Sequence, residues 1–145
     1  VNSGRFQGTG IEGEVAYQQK EGVDFLASYS FQPFKDLNTG THITHSPKYL
    51  AKVRASKPLL RGKVIAGAEL HYTSSRLTAN CTPLPAIWWP SVTLSTKGLS
   101  RHLDISASTY NATNSTNYHP VGEEFTVQAL QQNGRGFRVQ LRFRF

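Results

Sequence analysis

From Phe137 to Phe145 the chain alternates without exception, with Phe137, Val139, Leu141, Phe143 and Phe145 separated by Arg138, Gln140, Arg142 and Arg144. A helix turning every 3.6 residues could not place either set on one side, whereas a strand sends successive side chains to opposite faces. The segment therefore predicts a strand with one wholly apolar face and one strongly polar face. Whatever lies on the two sides of that strand must differ sharply in polarity.

The same period recurs upstream. Phe25, Ala27, Tyr29 and Phe31 stand against Asp24, Ser28, Ser30 and Gln32, and Val64, Ala66, Ala68, Leu70 and Tyr72 stand against Gly67, Glu69 and His71. Weaker copies are Ile11, Val15 and Tyr17; Tyr49, Ala51, Val53 and Ala55; Val92, Leu94 and Thr96; and Leu103, Ile105, Ala107 and Thr109. No segment keeps a helical period, so the expectation is an all-β, antiparallel meander of about seven long strands, near 7–20, 23–34, 48–58, 63–75, 87–97, 101–111 and 135–145. The strands average about 12 residues, longer than the 5–6 common in globular proteins and near the ~9–11 of a tilted transmembrane strand.

The connections alternate strictly. Short ones are Glu21-Gly22, the 59–62 region and Gly98-Leu99-Ser100; long ones run near 35–47, 76–86 and 112–134. Outer-membrane barrels have short turns at one end and long loops at the other, and the predicted apolar faces carry small or aliphatic residues centrally with aromatics near the ends: Tyr17, Tyr29, Phe31, Tyr72, Trp88, Trp89, Tyr110, Phe143 and Phe145. The alternative left open by pattern alone is a soluble β-sandwich whose apolar face is its core and which binds carbohydrate or protein, with Trp88 and Trp89 suited to sugar stacking.

Composition narrows the function classes. The 145 residues suffice for one domain, and the longest apolar stretch, Ala86 to Trp89, is far short of a membrane-spanning helix. The net charge of +7 invites a nucleic-acid reading, but most cations are scattered singly and the dense set at Arg135, Arg138, Arg142 and Arg144 alternates with apolar residues, so no nucleic-acid partner is expected. The single cysteine, Cys81, forms no internal disulfide. With no methionine and no basic start followed by an apolar run, the chain reads as a mature segment or a fragment.

Several pieces together resemble the C-terminal β-barrel portion of TonB-dependent outer-membrane receptors. They are Gly10-Ile11-Glu12, Ala27-Ser28-Tyr29-Ser30-Phe31, His45-Ser46-Pro47-Lys48-Tyr49-Leu50-Ala51-Lys52, Glu69-Leu70-His71-Tyr72-Thr73-Ser74-Ser75-Arg76, Ser106-Ala107-Ser108-Thr109-Tyr110-Asn111, and Asn133-Gly134-Arg135-Gly136-Phe137 leading to Arg142-Phe143-Arg144-Phe145. They stand in the family's order and cover nearly the whole chain. One departure is Ala112-Thr113-Asn114-Ser115-Thr116, where the family usually has a Leu-Phe-Asp-like turn. The resemblance implies one segment, 1–145, of a bacterial outer-membrane receptor for a scarce nutrient such as an iron–siderophore complex or cobalamin. It also implies outer-membrane lipid, an N-terminal plug and the remaining strands as partners, a TonB-type energy-transducing protein acting through the plug, and the barrel-assembly machinery reading Phe145. The family's 22-stranded barrel would need about 460 residues at about 21 per strand, so this chain would supply about a third of it.

Other chemistry is weakly supported. Gly8-Thr9-Gly10-Ile11-Glu12-Gly13-Glu14-Val15 matches a dinucleotide or kinase glycine string, but a strand follows it where a dinucleotide site needs a helix, and no catalytic Asp and Asn loop completes a kinase. His42 and His45 with Asp36 form an incomplete metal set in a loop. The three aspartates, Asp24, Asp36 and Asp104, are not tied by spacing to any Ser and His, so no catalytic residue, cofactor or metal is expected. Asn80, Asn111 and Asn114 begin glycosylation strings, and Glu123 and Glu124 are read as solvated loop acids. Ligand contacts, if present, are expected from the long loops, including Trp88, Trp89, Tyr118 and His119.

Overall fold

The computed structural model describes residues 4–144 apart from Glu21, His42 and 99–101. In chain order the strands are β1 (Phe6–Gly8), β2 (Ile11–Gln18), β3 (Asp24–Phe31), β4 (Phe34–Asp36), β5 (Tyr49–Leu59), β6 (Val64–Thr73), β7 (Arg76–Leu77), β8 (Pro83–Leu84), β9 (Ile87–Thr96), β10 (Leu103–Tyr110), β11 (Tyr118–Pro120), β12 (Ala129–Gln131) and β13 (Gly136–Phe143). Seven of them form one antiparallel sheet in the order β13-β10-β9-β6-β5-β3-β2, which is a meander with every strand beside its neighbour in sequence. The other six pair as three small ribbons, β1-β4, β7-β8 and β11-β12, each in or beside a long connection.

The ladders fix which residues share a face. One continuous row runs Tyr17, Phe25, Ala55, Ala68, Val92, Thr109 and Phe137; its neighbour runs Gln18, Asp24, Ser56, Gly67, Thr93, Ser108 and Arg138. Phe137, Val139, Leu141 and Phe143 therefore share a face with Phe25, Ala27, Tyr29, Phe31, Val64, Ala66, Ala68 and Leu70, while Arg138, Arg142, Glu69 and His71 lie on the other. Strict alternation holds because a slip of one residue would exchange every side chain between faces.

The wall strands are eight to eleven residues long, shorter than the sequence pattern suggests. The expected first strand, 7–20, breaks at Thr9-Gly10 into β1 and β2. Gly8 lies under the Phe34 ring, and a Cβ on Gly10 would stand 2.8 Å from the Phe31 carbonyl oxygen, so these glycines permit the bend and the close approach. Two aromatics also lie on the face opposite to that expected. Trp89 pairs with His71, and Tyr110 pairs with Gly136, both on the polar face. Runs such as Ile87-Trp88-Trp89 contain no polar residue to reveal parity, and only the ladder sets it.

Aromatics on the apolar face stand at both ends, Tyr17, Phe25 and Phe143 towards the short turns, and those in ring contact cluster at the loop end. Phe31 stacks on Tyr49 with centroids 4.9 Å apart, Tyr29 lies 6.3 Å from Tyr49, and Tyr72 lies 4.4 Å from Trp88. The sheet encloses almost no core: among the described residues the one buried hydrophobic is Ile87, while Phe137, Val139 and Leu141 are 76%, 70% and 56% exposed. A sandwich would bury one whole face against a second sheet, so the β-sandwich alternative does not fit this arrangement.

In the full-length protein, Ala68→Arg, placed centrally on the apolar face, is expected to destabilise the folded wall by about 2–4 kcal/mol if that face meets hydrocarbon. Gln140→Lys on the polar face is expected to change stability by less than ~1 kcal/mol. Urea titration followed by heat-modifiable gel migration measures both, and equal losses would show the faces to be assigned wrongly.

Candidate functional site

All three long connections emerge at one end of the sheet, and most of the buried polar groups gather there. Ser74, Arg76, Thr78, Asn111 and Asn117 are buried, so in a chain with almost no apolar core this end encloses the buried polar groups among the described residues. Ser74 follows β6 directly, and its Oγ accepts hydrogen bonds from the backbone N–H groups of Lys48 and Tyr49, both at 3.1 Å, clamping the tops of β5 and β6. Thr78 closes the β7-β8 ribbon, accepting from the Thr82 N–H at 3.1 Å, and leaves Cys81 exposed at its tip.

Asparagines define the third loop. Asn111 is completely buried in the left-handed region (φ 48); its Oδ1 accepts from the Ser115 N–H at 3.0 Å and its Nδ2 donates to the Ser115 carbonyl at 2.8 Å. Asn114 (φ 55) accepts from the Arg135 N–H at 2.9 Å, closing the loop at its base. Asn tolerates positive φ better than other side chains because its amide bonds locally to backbone. Both residues serve the turn, and the glycosylation string at Asn111 is inaccessible.

The loops hold one another. The His45 N–H donates to the Leu77 carbonyl at 2.8 Å, joining the first and second loops. Arg76 Nη2 donates to the Tyr118 carbonyl at 2.9 Å, joining the second and third, and the Asn80 N–H reaches Gln128 Oε1 at 3.4 Å. Burial pushes the Arg76 guanidinium below its usual range, and its Nη1 has no partner among the described residues. His119 is held below the ordinary imidazole value, first by burial and then by the positive charge of Arg76.

Beneath this cap, on the polar face, lies an open recess of about 330 Å³ walled by Glu69, His71, Trp89, Tyr110 and His119 among others. His71 Nε2 is hydrogen-bonded to Glu69 Oε1, which orients the imidazole. The recess offers two aromatic faces for stacking and several donors and acceptors for a polar ligand. No group of three or more His, Cys, Asp or Glu among the described residues is arranged to hold a metal.

The residues singled out from sequence separate here. Trp89 and His119 meet in the recess, while Trp88, expected to be a loop ligand contact, points from β9 to the apolar face and packs on Tyr72. Tyr118 lies in β11 and supplies its carbonyl to Arg76. Asp36 caps its own turn by accepting from the Asn38 N–H at 2.8 Å, His45 is held at φ 64 with Nε2 buried and unpartnered among the described residues, and His42 lies outside them. Glu123 and Glu124 are exposed. Sequence reasoning passed over Arg76, because a singly spaced cation carries no pattern, and treated Glu69 and His71 only as polar-face markers.

Arg76→Gln removes the bond to Tyr118, and the expected loosening of the third loop by about 1–3 kcal/mol should speed protease cleavage within 111–135 by about fivefold or more. A pH dependence follows from His119. Its depressed value in the closed loop means that the neutral imidazole stabilises closure fully above the ordinary pKa near ~6.5, and this stabilisation is lost as pH falls below it. A fluorophore on Cys81 should report opening on acidification, and His119→Gln should remove that response.

No sequence-family model matches the chain, and no curated protein matches it as a sequence relative. Solved structures do match its fold. The ferric-catecholate import receptor Fiu of Escherichia coli K12 superposes with TM-score 0.83 at 17% identity over 98% of this chain and 21% of its own. The ferripyoverdine receptor of the Pseudomonas aeruginosa outer membrane gives 0.80 at 17% over 95% and 19%, and the copper transporter OprC gives 0.75 at 15% over 97% and 24%. The chain spans about a fifth of the length of these structures. Its seven-stranded meander has the fold of the barrel wall of TonB-dependent outer-membrane receptors.

Proposed function

We propose that this chain is a wall segment, with three outer loops, of a TonB-dependent outer-membrane receptor that takes up a scarce nutrient such as an iron–siderophore complex or cobalamin. The observation that carries the reading is the apolar face, on which no described residue of the seven strands is buried and which is backed by no core. Only hydrocarbon can cover such a face without adding a second layer of protein. The names of the matching structures support import as the activity: two are described as receptors for ferric-catecholate or ferripyoverdine and one as a copper transporter.

In this reading the loop end faces outward. The tied loops and the recess around Trp89, Tyr110 and His119 take part in holding the ligand, stacking on planar groups and hydrogen-bonding polar ones. The polar face lines a lumen filled by a plug, and an energised TonB-type partner acting on that plug opens the path. Polar pairs along the face, such as Thr93 Oγ1 with Ser108 Oγ at 2.8 Å and Ser30 Oγ donating to Glu12 at 3.2 Å, suit a wet interior.

Uptake of labelled ferric siderophores by cells carrying the full-length protein, with and without TonB, tests the proposal. TonB-dependent uptake of one of them is expected, as is a loss of affinity of at least about tenfold in Trp89→Ala; recovery of the protein in the soluble fraction would overturn it. Phe145 lies outside the described residues, and its proposed role is recognition by the assembly machinery. Replacing it with Asp should cut the folded barrel in outer-membrane fractions far more than Arg144→Gln, and equal yields would remove that role.

A further inference from the structure

Across the apolar face of the seven wall strands, Lys57 is the one charged side chain among the described residues. It is exposed, stands opposite Ala66 in the β5-β6 ladder, and makes no ion pair with any described residue. A lysine facing hydrocarbon is costly at the bilayer centre and nearly free at the interface, so its depth decides what it can do.

β5 supplies the depth. Tyr49 belongs to the aromatic cluster at the loop end, and Leu59 ends the strand at the turn end. Ten steps of ~3.3 Å at a tilt of ~45° span about 23 Å, close to the ~25 Å apolar band of such walls. Lys57, two steps before Leu59, then lies about 5 Å inside the band's edge, a distance that a four-carbon side chain covers by snorkelling. Its neighbours on the face, Ala55, Ala66 and Ala68, are small and leave the stem unobstructed. Beyond the strand, Leu60 and Arg61 both adopt left-handed conformations (φ 48 and 58), and the turn presents Leu60 73% exposed. An exposed leucine three residues along the chain from a lysine near the rim matches an interface where acyl chain gives way to headgroup.

We propose that Lys57 and the β5-β6 turn form a site for an anionic phospholipid of the turn-side leaflet. The ammonium takes the lipid phosphate, while Leu59, Leu60 and the alanine surface meet its acyl chains. Charge complementarity selects the occupant: the site holds a cation and no acid, at the depth of the phosphates. The proposal rests on the membrane reading above, and the test separates the two.

Full-length protein purified in detergent is titrated with phosphatidylglycerol, and retained lipid is counted by native mass spectrometry. Lys57→Gln should weaken binding at least about fivefold and Lys57→Arg should preserve it, while Lys97→Gln, which lies among residues of the polar face, should change nothing. Wild-type binding by Lys57→Gln, equal affinity for phosphatidylcholine, or displacement by inorganic phosphate would each overturn the site and leave the receptor reading intact. A protein recovered from the soluble fraction would overturn the membrane reading and the site with it.

Discussion

The structure depends on the hydrogen-bonded ladder between neighbouring strands. In hydrocarbon no water competes for backbone N–H and C=O groups, so each must find its partner across a strand. β5 and β6 run ten pairs side by side and β6 and β9 another ten, and these central ladders are the longest in the wall. At the margins the condition is met on one side only, because β2 and β13 each have a single neighbour in the sheet. Both margins are eight residues long and lack proline, leaving them as templates for further pairing. A bilayer tolerates such a wall only where those margins are continued.

Everything about the side chains follows from that ladder. Once register is set, one face collects most of the aliphatic and aromatic groups and the other most of the serines and charges, and no interior exists between them in which a core could form. Burial in the ordinary sense is transferred to the polar cap at the loop end, where Ser74, Arg76, Thr78, Asn111 and Asn117 are buried and hydrogen-bonded to loop and strand-end backbone. This inverts the arrangement of a water-soluble domain.

Period two made the strands legible from the sequence, because Phe137 to Phe145 and Val64 to Tyr72 name their faces residue by residue, and the spacing of the turns made the meander legible. The breaks were not. Gly8 and Gly10 read as part of a strand until Phe34 is seen lying on one and the Phe31 carbonyl against the other. The candidate site was half visible: His119 and Trp89 stood out by type, but Trp88 was indistinguishable from its neighbour until the ladder sent the two indoles to opposite faces. Arg76 had no local signature, since its role depends on Tyr118, 42 residues away in sequence.

Each long loop leaves and re-enters the wall on adjacent strands, its base already closed by bonds such as Asn114 to Arg135 and the Gln32 N–H to the Lys48 carbonyl. The entropy of closing a loop rises slowly with its length, by about 0.6 kcal/mol per doubling. Insertions beyond those bases therefore leave the strands beneath undisturbed. Evolution can rewrite the outer surface by lengthening, shortening or exchanging loops while the frame stays the same, which is how chains sharing little sequence can keep one wall and diversify what they recognise.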